Sequence, residues 1–474
     1  MAYKKKLHRY RPGAERLIET QHTKQRIKLK SASPRSLERE VRQLLADKVS
    51  GNMVGLWLLV PEHLRLGTWD LLRGWSGRGS EHVEPRLALQ LVHEAALCTN
   101  GIRDKRCLSQ KGFELTNGLP FVGSDQAIHN LVAAHTVADS QRLQIALGKL
   151  RRASGDFCGQ LLAVDPHRVR SYTKRQMRRH QKGPDSKPTK VAQTFFALDA
   201  DTHQPVCFTT ATSARSVAQA TPELLDMAAT ILHSNDTGTP TTVLADCEHF
   251  STKLIDHIHQ QTHFDLLVPM PKRASLDKHM RAIPPERFTR RWAGYATTKV
   301  PYELTGSQTG PVYQLIQRLG EDPGQWGFRA FLSTAHGDEL DALTVEYPKR
   351  WHIEEFFNAN QALGWQRDGT LNLNIRYGQM TMALIAQAVI QRLRRRLLPP
   401  ISGWDAHHLA TALFHGLDGD VRVNDDTILV TYYNAPNVDR LRQHYENLPE
   451  KLRAENVCPR IPWLYDFKLD FRFR

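Results

Sequence analysis

The chain has 474 residues, more than one ordinary core holds, so two or three domains, or one domain with a large insertion, are expected. Its 64 Lys and Arg against 49 Asp and Glu leave a net charge of +15, which makes a polyanion such as nucleic acid the first partner to consider, with charge for solubility alone as the plain alternative. No run reaches the roughly 18 apolar residues of a membrane span, and the six cysteines lie far apart without a CxxC pair, so a soluble protein with reduced thiols and neither a cysteine zinc signature nor a disulfide framework is expected.

The first 34 residues, beginning MAYKKKLHRYRPG, read as a basic arm that lacks the apolar segment of a secretory signal. Residues 35–150 carry helical patterning: Leu37, Val41, Leu44 and Leu45 follow a 3.6-residue period, and similar spacing recurs over residues 87–97 and 127–150. Ser124 or Asp125 stands as an N-cap after a Gly- and Pro-rich turn. That arrangement suits helix-turn-helix packing and equally any small helical bundle.

The texture changes near residue 160. Residues 161–164, LLAV, read as a short strand ending at Asp165, with Pro166 ending regular pairing. TFFALDADTHQPVCFTTAT gives two strands about a polar turn, and TPELLDMAATILHS a helix with Thr221 as N-cap and Pro222 at its first position. TTVLADCEHFSTKLIDHIHQQTHFDLLVPM then reads as strand, loop, helix, strand. This order is that of a ribonuclease-H-like α/β core. Residues 285–333 interrupt it with a basic, β-rich insertion, and helical patterning resumes over residues 339–363 and 375–398. Residues 400–474 are mixed and Pro-punctuated.

Cleaving and rejoining a phosphodiester requires an activated oxygen nucleophile and a stabilised leaving oxygen. Two Mg²⁺ ions held by carboxylates supply both. Asp165 and Asp246 each follow an apolar run, LLAV and VLA, that reads as a central strand, and Glu354 lies on a later helix. A lone Asp at a strand end is more often a turn or helix cap, so the set carries the argument rather than its members. Asp199 and Asp201 compete, but they sit in a polar hairpin turn where Asp is expected anyway.

The most specific segment is EYPKRWHIEEFFNANQALGW. At about 100° per residue, Tyr347, Arg350, Glu354 and Gln361 fall within an arc of roughly 60° of one helix. Glu355 lies about 100° further round than Glu354, and Ile353, Phe356 and Phe357 form a core face, so Glu354 is the preferred ligand.

These residues resemble the Tyr-x2-Arg-x3-Glu-x6-Lys signature of bacterial insertion-sequence DDE transposases. Tyr347, Arg350 and Glu354 match it, and Gln361 stands where the signature has Lys. LLAVD and LADCEHFST are similar to that family's first-Asp and second-Asp regions, and the order of the three acids agrees. The resemblance covers roughly residues 120–400. It implies a cut-and-paste DNA transposase in which Asp165, Asp246 and Glu354 hold Mg²⁺, with Mn²⁺ as a substitute, and Tyr347, Arg350 and position 361 contact DNA. Double-stranded DNA, both element ends and target, is the implied partner, bound by a homodimer in a bacterial cytoplasm at the nucleoid.

The implied domains are a basic arm (1–34), a helical DNA-binding domain (35–150), a split catalytic core (151–284 and 334–400), the β-rich insertion (285–333) and a C-terminal region for dimerisation (401–474). The alternatives are a metal-dependent nuclease on the same core and an inactive, transposase-derived DNA-binding protein. Trp292 and Trp326 in the insertion offer stacking surfaces, with packing in a core as the commoner role, and Arg290 and Arg291 offer phosphate contacts. His257, His259 and His263, and His407, His408 and His415, raise a zinc site, but no Cys or carboxylate completes a ligand spacing.

Overall fold

The computed structural model describes residues 34–51, 53–79, 82–99, 111–172, 176, 179–181, 185–212, 215–232, 240–309, 312–365, 372–397 and 399–474. The basic arm, apart from Pro34, lies outside the described residues. Two compact units account for the chain: a terminal unit drawn from residues up to 140 with 362–365 and 378–474, and a central unit of residues 141–361 and 366–377.

In the terminal unit, the helix Pro34–Ala46 buries Leu37, Val41 and Leu45, the positions one and two turns apart that share a face. Ser124, not Asp125, caps the helix Asp125–Ala133; its Oγ accepts the Ala127 amide at 3.2 Å. Residues 400–474, in which no element is expected, supply most of a five-stranded sheet. Its order is Val49–Ser50, Gly419–Asn424, Thr427–Tyr432, Phe467–Phe473 and Arg460–Ile461, so the C-terminal segment shares a sheet with a strand near the N-terminus. The apolar run near residue 385 is buried inside the helix Leu373–Leu397. No described helix is long and apolar enough to cross a membrane.

The central unit is built on a mixed sheet. Its strands are β1 (Leu161–Arg170), β2 (Thr189–Asp199), β3 (Gln204–Thr212), β4 (Thr242–Leu244), β5 (Asp265–Pro269), β6 (Thr289–Trp292), β7 (Tyr295–Tyr302), β8 (Val312–Leu319) and β9 (Gly327–Ser333). The spatial order is β2, β1, β4, β5, β9, β8, β7, β6, with β3 and the two-residue strand Arg179–His180 on β2. β1, β4 and β5 run parallel, and every other pairing is antiparallel. Leu162, Val164, Val243 and Leu266 pack with Leu224, Leu225, Ala228 and Ile231 of the helix Val217–Leu232 in one apolar core.

Several local expectations change. β1 does not stop at Asp165: it runs through Pro166 to Arg170, paired on one side with β2. β4 pairs only with Leu161, Leu162 and Ala163, so Pro166 lies where that side of β1 has no ladder for its missing N–H to break. The helix expected to start at Pro222 starts at Val217 and contains Pro222, while the Thr221 hydroxyl donates back to the Val217 carbonyl at 2.8 Å instead of capping. The β-rich insertion extends the core sheet, because β9 pairs with β5. The expected helix over residues 339–363 is broken into a π turn (Ala342–Glu346), a 3₁₀ turn (Tyr347–Trp351), an α-helix (His352–Asn360) and a 3₁₀ turn (Gln361–Leu363). Pro348 explains the break, since it has no N–H to continue the α ladder and its ring crowds the preceding turn.

Candidate active site

The register of the parallel strands sets two carboxylates side by side. Ala163 of β1 pairs with Leu244 of β4, and Asp165 and Asp246 each follow two residues later. Asp246 has extended backbone angles and caps the 3₁₀ turn Cys247–His249. Its Oδ1 accepts from the Glu248 amide at 3.0 Å and from His249 Nδ1 at 2.7 Å. Since a carboxylate only accepts, the His249 Nδ1 carries the proton.

These surroundings drive the two acids apart. Burial raises Asp246, but the hydrogen bond and charge of His249, the Glu248 amide and Arg350 outweigh it and hold Asp246 below the usual carboxylate range. Asp165 has no such donors. Burial, then the charge of Asp246, with a further push from Glu354, raise it to about 7 against the opposing pull of Arg350. Like charges in one site cannot both ionise freely, and the partner with the better hydrogen bonds keeps its charge.

Glu354 joins from the helix His352–Asn360. The uniform helical arc expected for Tyr347, Arg350, Glu354 and Gln361 does not exist, because Tyr347 and Arg350 lie in a 3₁₀ turn and Gln361 opens another. Arg350 and Glu354 nevertheless meet, Nη2 donating to Oε1 at 3.3 Å. The Arg350 guanidinium is largely buried. Burial lowers its pKa, but Tyr347, Asp165 and Glu354 more than reverse that and raise it. Arg350 is thus the counter-charge of the acidic cluster. The Tyr347 hydroxyl donates to the Ala245 carbonyl at 3.3 Å, beside Asp246, and its ring packs edge-on to Phe331 at 4.8 Å. Ile353 and Phe356 are buried, with Phe356 and Phe357 against Phe196 of β2, whereas Glu355 is exposed beside His203.

The remaining expected residues lie elsewhere. Arg291 is tied to Glu339 at 2.5 Å and to the Thr297 hydroxyl at 2.9 Å, whereas Arg290 is exposed. Trp292 is half-exposed and stacks on Tyr295 at 4.2 Å. Trp326 is half-buried under the Arg318 guanidinium, 4.0 Å from its ring. Asp199 builds its turn, accepting from Gly159 N, Thr202 N and the Thr202 hydroxyl, and Asp201 pairs with Lys349. His257 pairs with Asp226.

Sequence reasoning missed His249, although its position three residues after Asp246, across a short turn, was a signal for a supporting donor. It also missed Arg168, whose guanidinium makes a two-pronged pair with Glu248 in the same loop.

The donor type suits a hard divalent cation, three carboxylates from three elements, although their oxygens do not all lie within 4.8 Å of one another. Burial first, and then the charges of Asp246 and Glu354, push Asp165 toward protonation, and bound positive charge would offset both. Asp165, Asp246 and Glu354 are the residues that would hold it.

No curated protein sequence matches the chain. Among solved structures, it is similar to a piggyBac transposase synaptic complex with hairpin DNA, at 12% identity and a TM-score of 0.39 over 78% of this chain and 82% of that one. Residues 156–388 match the family model described as Transposase DDE domain, which supports a DDE transposase, and that span includes Asp165, Asp246 and Glu354.

Proposed function

We propose that the chain is a DNA transposase that binds the ends of its element, cleaves DNA with activated water and joins 3'-hydroxyl ends to target DNA. Its catalytic domain is then the ribonuclease-H-like arrangement of β1 to β5, with Asp165, Asp246 and Glu354 as metal ligands. What supports this reading is the match to the transposase domain together with three acids inside that segment whose charges act with one largely buried arginine. Magnesium ions, when bound, supply activation of the attacking oxygen and neutralisation of the leaving oxygen.

The chain's own residues prepare the site. His249 and the Glu248 amide fix Asp246 Oδ1, Arg350 orients Glu354, and the Tyr347 hydroxyl ties its turn to the backbone next to Asp246. Tyr347, Arg350 and Gln361 are also the proposed DNA contacts beside the scissile phosphate. Arg290, Trp292 and Trp326 are proposed contacts along the insertion.

The test uses the purified chain and a pre-cut duplex bearing the terminal repeats that bracket its gene, with a supercoiled target, in Mg²⁺ and in EDTA. Mg²⁺-dependent joining of the 3'-end to the target is expected. Cleavage without joining would make the protein a nuclease, and tight binding without either product would make it an inactive DNA-binding descendant.

A further inference from the structure

Another cluster of ligand-type side chains joins the turn between β2 and β3 to the helix that carries Glu354. Three contacts fasten these elements. Lys349 Nζ donates to Asp201 Oδ1 at 2.6 Å, His352 Nδ1 donates to the Ala200 carbonyl at 2.7 Å, and the His203 and His352 rings stack with centroids 3.9 Å apart. Glu355 Oε2 lies 3.9 Å from His203 Nδ1. One nitrogen from each histidine and one oxygen of Glu355 all fall within 4.8 Å of one another.

We propose that His203, His352 and Glu355 form a transition-metal site, best suited to Zn²⁺ and separate from the acidic cluster. Two imidazoles and a carboxylate are the donors of borderline divalent ions, whereas Mg²⁺ demands oxygens. The hydrogen bond from His352 Nδ1 to a backbone carbonyl fixes the tautomer whose Nε2 lone pair is available, the support that metal-binding histidines use. Ligand bonds of about 2.0–2.2 Å place two donors at most about 4.3 Å apart across one ion, so the site closes when the exposed His203 ring turns out of its stack on His352 and both lone pairs meet the ion. His203 and Glu355 are exposed, which leaves room for water as a further ligand.

A bound ion would staple the β2–β3 turn to the helix and hold Glu354 in place. That consequence rests on Glu354 being a catalytic ligand. The binding itself does not.

The experiment is calorimetric titration of the full chain with ZnCl₂ in excess Mg²⁺ and without DNA, followed by Co²⁺ absorption spectroscopy. In the wild type, one site of micromolar or tighter affinity is expected, and Co²⁺ should give a visible d–d band. His203→Ala and Glu355→Gln, both at exposed positions and checked for unchanged melting, should each weaken that site by at least about tenfold and remove the band, while Asp165→Asn retains both. Wild-type zinc binding in His203→Ala and Glu355→Gln, or its loss in Asp165→Asn, overturns the proposal. Because no DNA is present, either result leaves the transposase reading to its own test.

Discussion

Asp165 and Asp246 stand two residues past the two partners of one register pair, Ala163 and Leu244, on adjacent parallel strands, the first still inside its strand and the second just beyond it. Neighbouring strands lie about 4.8 Å apart, so equivalent positions hold their side chains close together whatever the loops do. The His249 hydrogen bond and the Glu248 amide keep Asp246 in its charged form, while Asp165 has no such donors, so the burden of burial and then of the charge of Asp246 falls on Asp165.

That burden gives a stability prediction. A carboxyl whose folded pKa is raised to about 7 favours the fold only while protonated; its stabilisation is lost as pH rises from the ordinary value near 3.8 through 7. Above pH 7, metal-free protein carries the full cost, and Asp165→Asn should raise stability in EDTA by ~2 kcal/mol, discounted from the 1.36 kcal/mol per pKa unit. The same change should abolish Mg²⁺-dependent cleavage and leave end-binding nearly intact. Melting curves in EDTA at pH 8 check the first point. An Asp165→Asn protein no more stable than wild type would mean that neither burial nor the neighbouring acids hold the Asp165 carboxyl above its ordinary range.

Much of this site was legible because chemistry and periodicity coincide in the sequence. LLAV and VLA are short apolar runs bounded by turn residues, as buried strands have, each closes near an acid, and the helix face separating Glu354 from Phe356 survives even though the turn before it is 3₁₀. What could not be read is relational. A gap between Asp165 and Asp246 says nothing of register, and a strand as short as Val49–Ser50 has no pattern of its own, so its pairing with Val421 and Asp420 depends on tertiary contact. Pro166 reads as a stop in any one-dimensional view, since whether a ladder needs its N–H depends on where β4 ends. Arg291 looks like a free cation until Glu339, far along the chain, closes on it.

Glu62 in the terminal unit is fully buried and accepts from three donors, Arg65 Nη1 at 2.8 Å, the Tyr445 hydroxyl at 3.0 Å and Arg396 Nε at 3.3 Å. Arg396 is thus occupied in the fold. Removing Glu62 leaves the buried Tyr445 hydroxyl without its acceptor and Arg65 and Arg396 with Glu455 alone, so Glu62→Ala should cost about 1–3 kcal/mol. Urea unfolding of the two proteins measures it, and a loss under about 1 kcal/mol would place these arginines in water.

The buried pair His63 and His93 predicts acid sensitivity. Asn117 Nδ2 donates to the Phe113 carbonyl, so its Oδ1 accepts from His93 Nδ1, and His93 Nε2 must accept from His63 Nε2 at 3.1 Å. Protonating His93 would set two N–H groups against each other. Burial lowers His93 to about 4 and puts His63 well below its ordinary value. Both depressed values favour the fold above pH 6.5 and lose that contribution as pH falls from 6.5 toward 4. The melting temperature should therefore drop across this window, and His63→Leu should flatten the drop; parallel curves for the two proteins would show that the pair is not what titrates.

The two neighbouring arginines of the insertion set a proposed DNA contact against a structural tie. Arg290 is exposed on the edge strand β6, whereas the Arg291 guanidinium is committed to Glu339 and the Thr297 hydroxyl. Each phosphate contact contributes about 0.9 to the slope of log affinity against log salt. On the proposed function, Arg290→Ala should weaken end-DNA binding and flatten that slope by roughly 0.9 without changing the melting temperature. Arg291→Ala should leave the slope as it is and cost about 1–2 kcal/mol of stability, because it strips a partly buried carboxylate of its charged donor. Salt titrations on one end duplex, paired with melting curves, distinguish the two roles. If Arg291→Ala flattens the slope and melts like wild type, its pairing with Glu339 gives way to phosphate in the complex, and both arginines belong to the DNA surface.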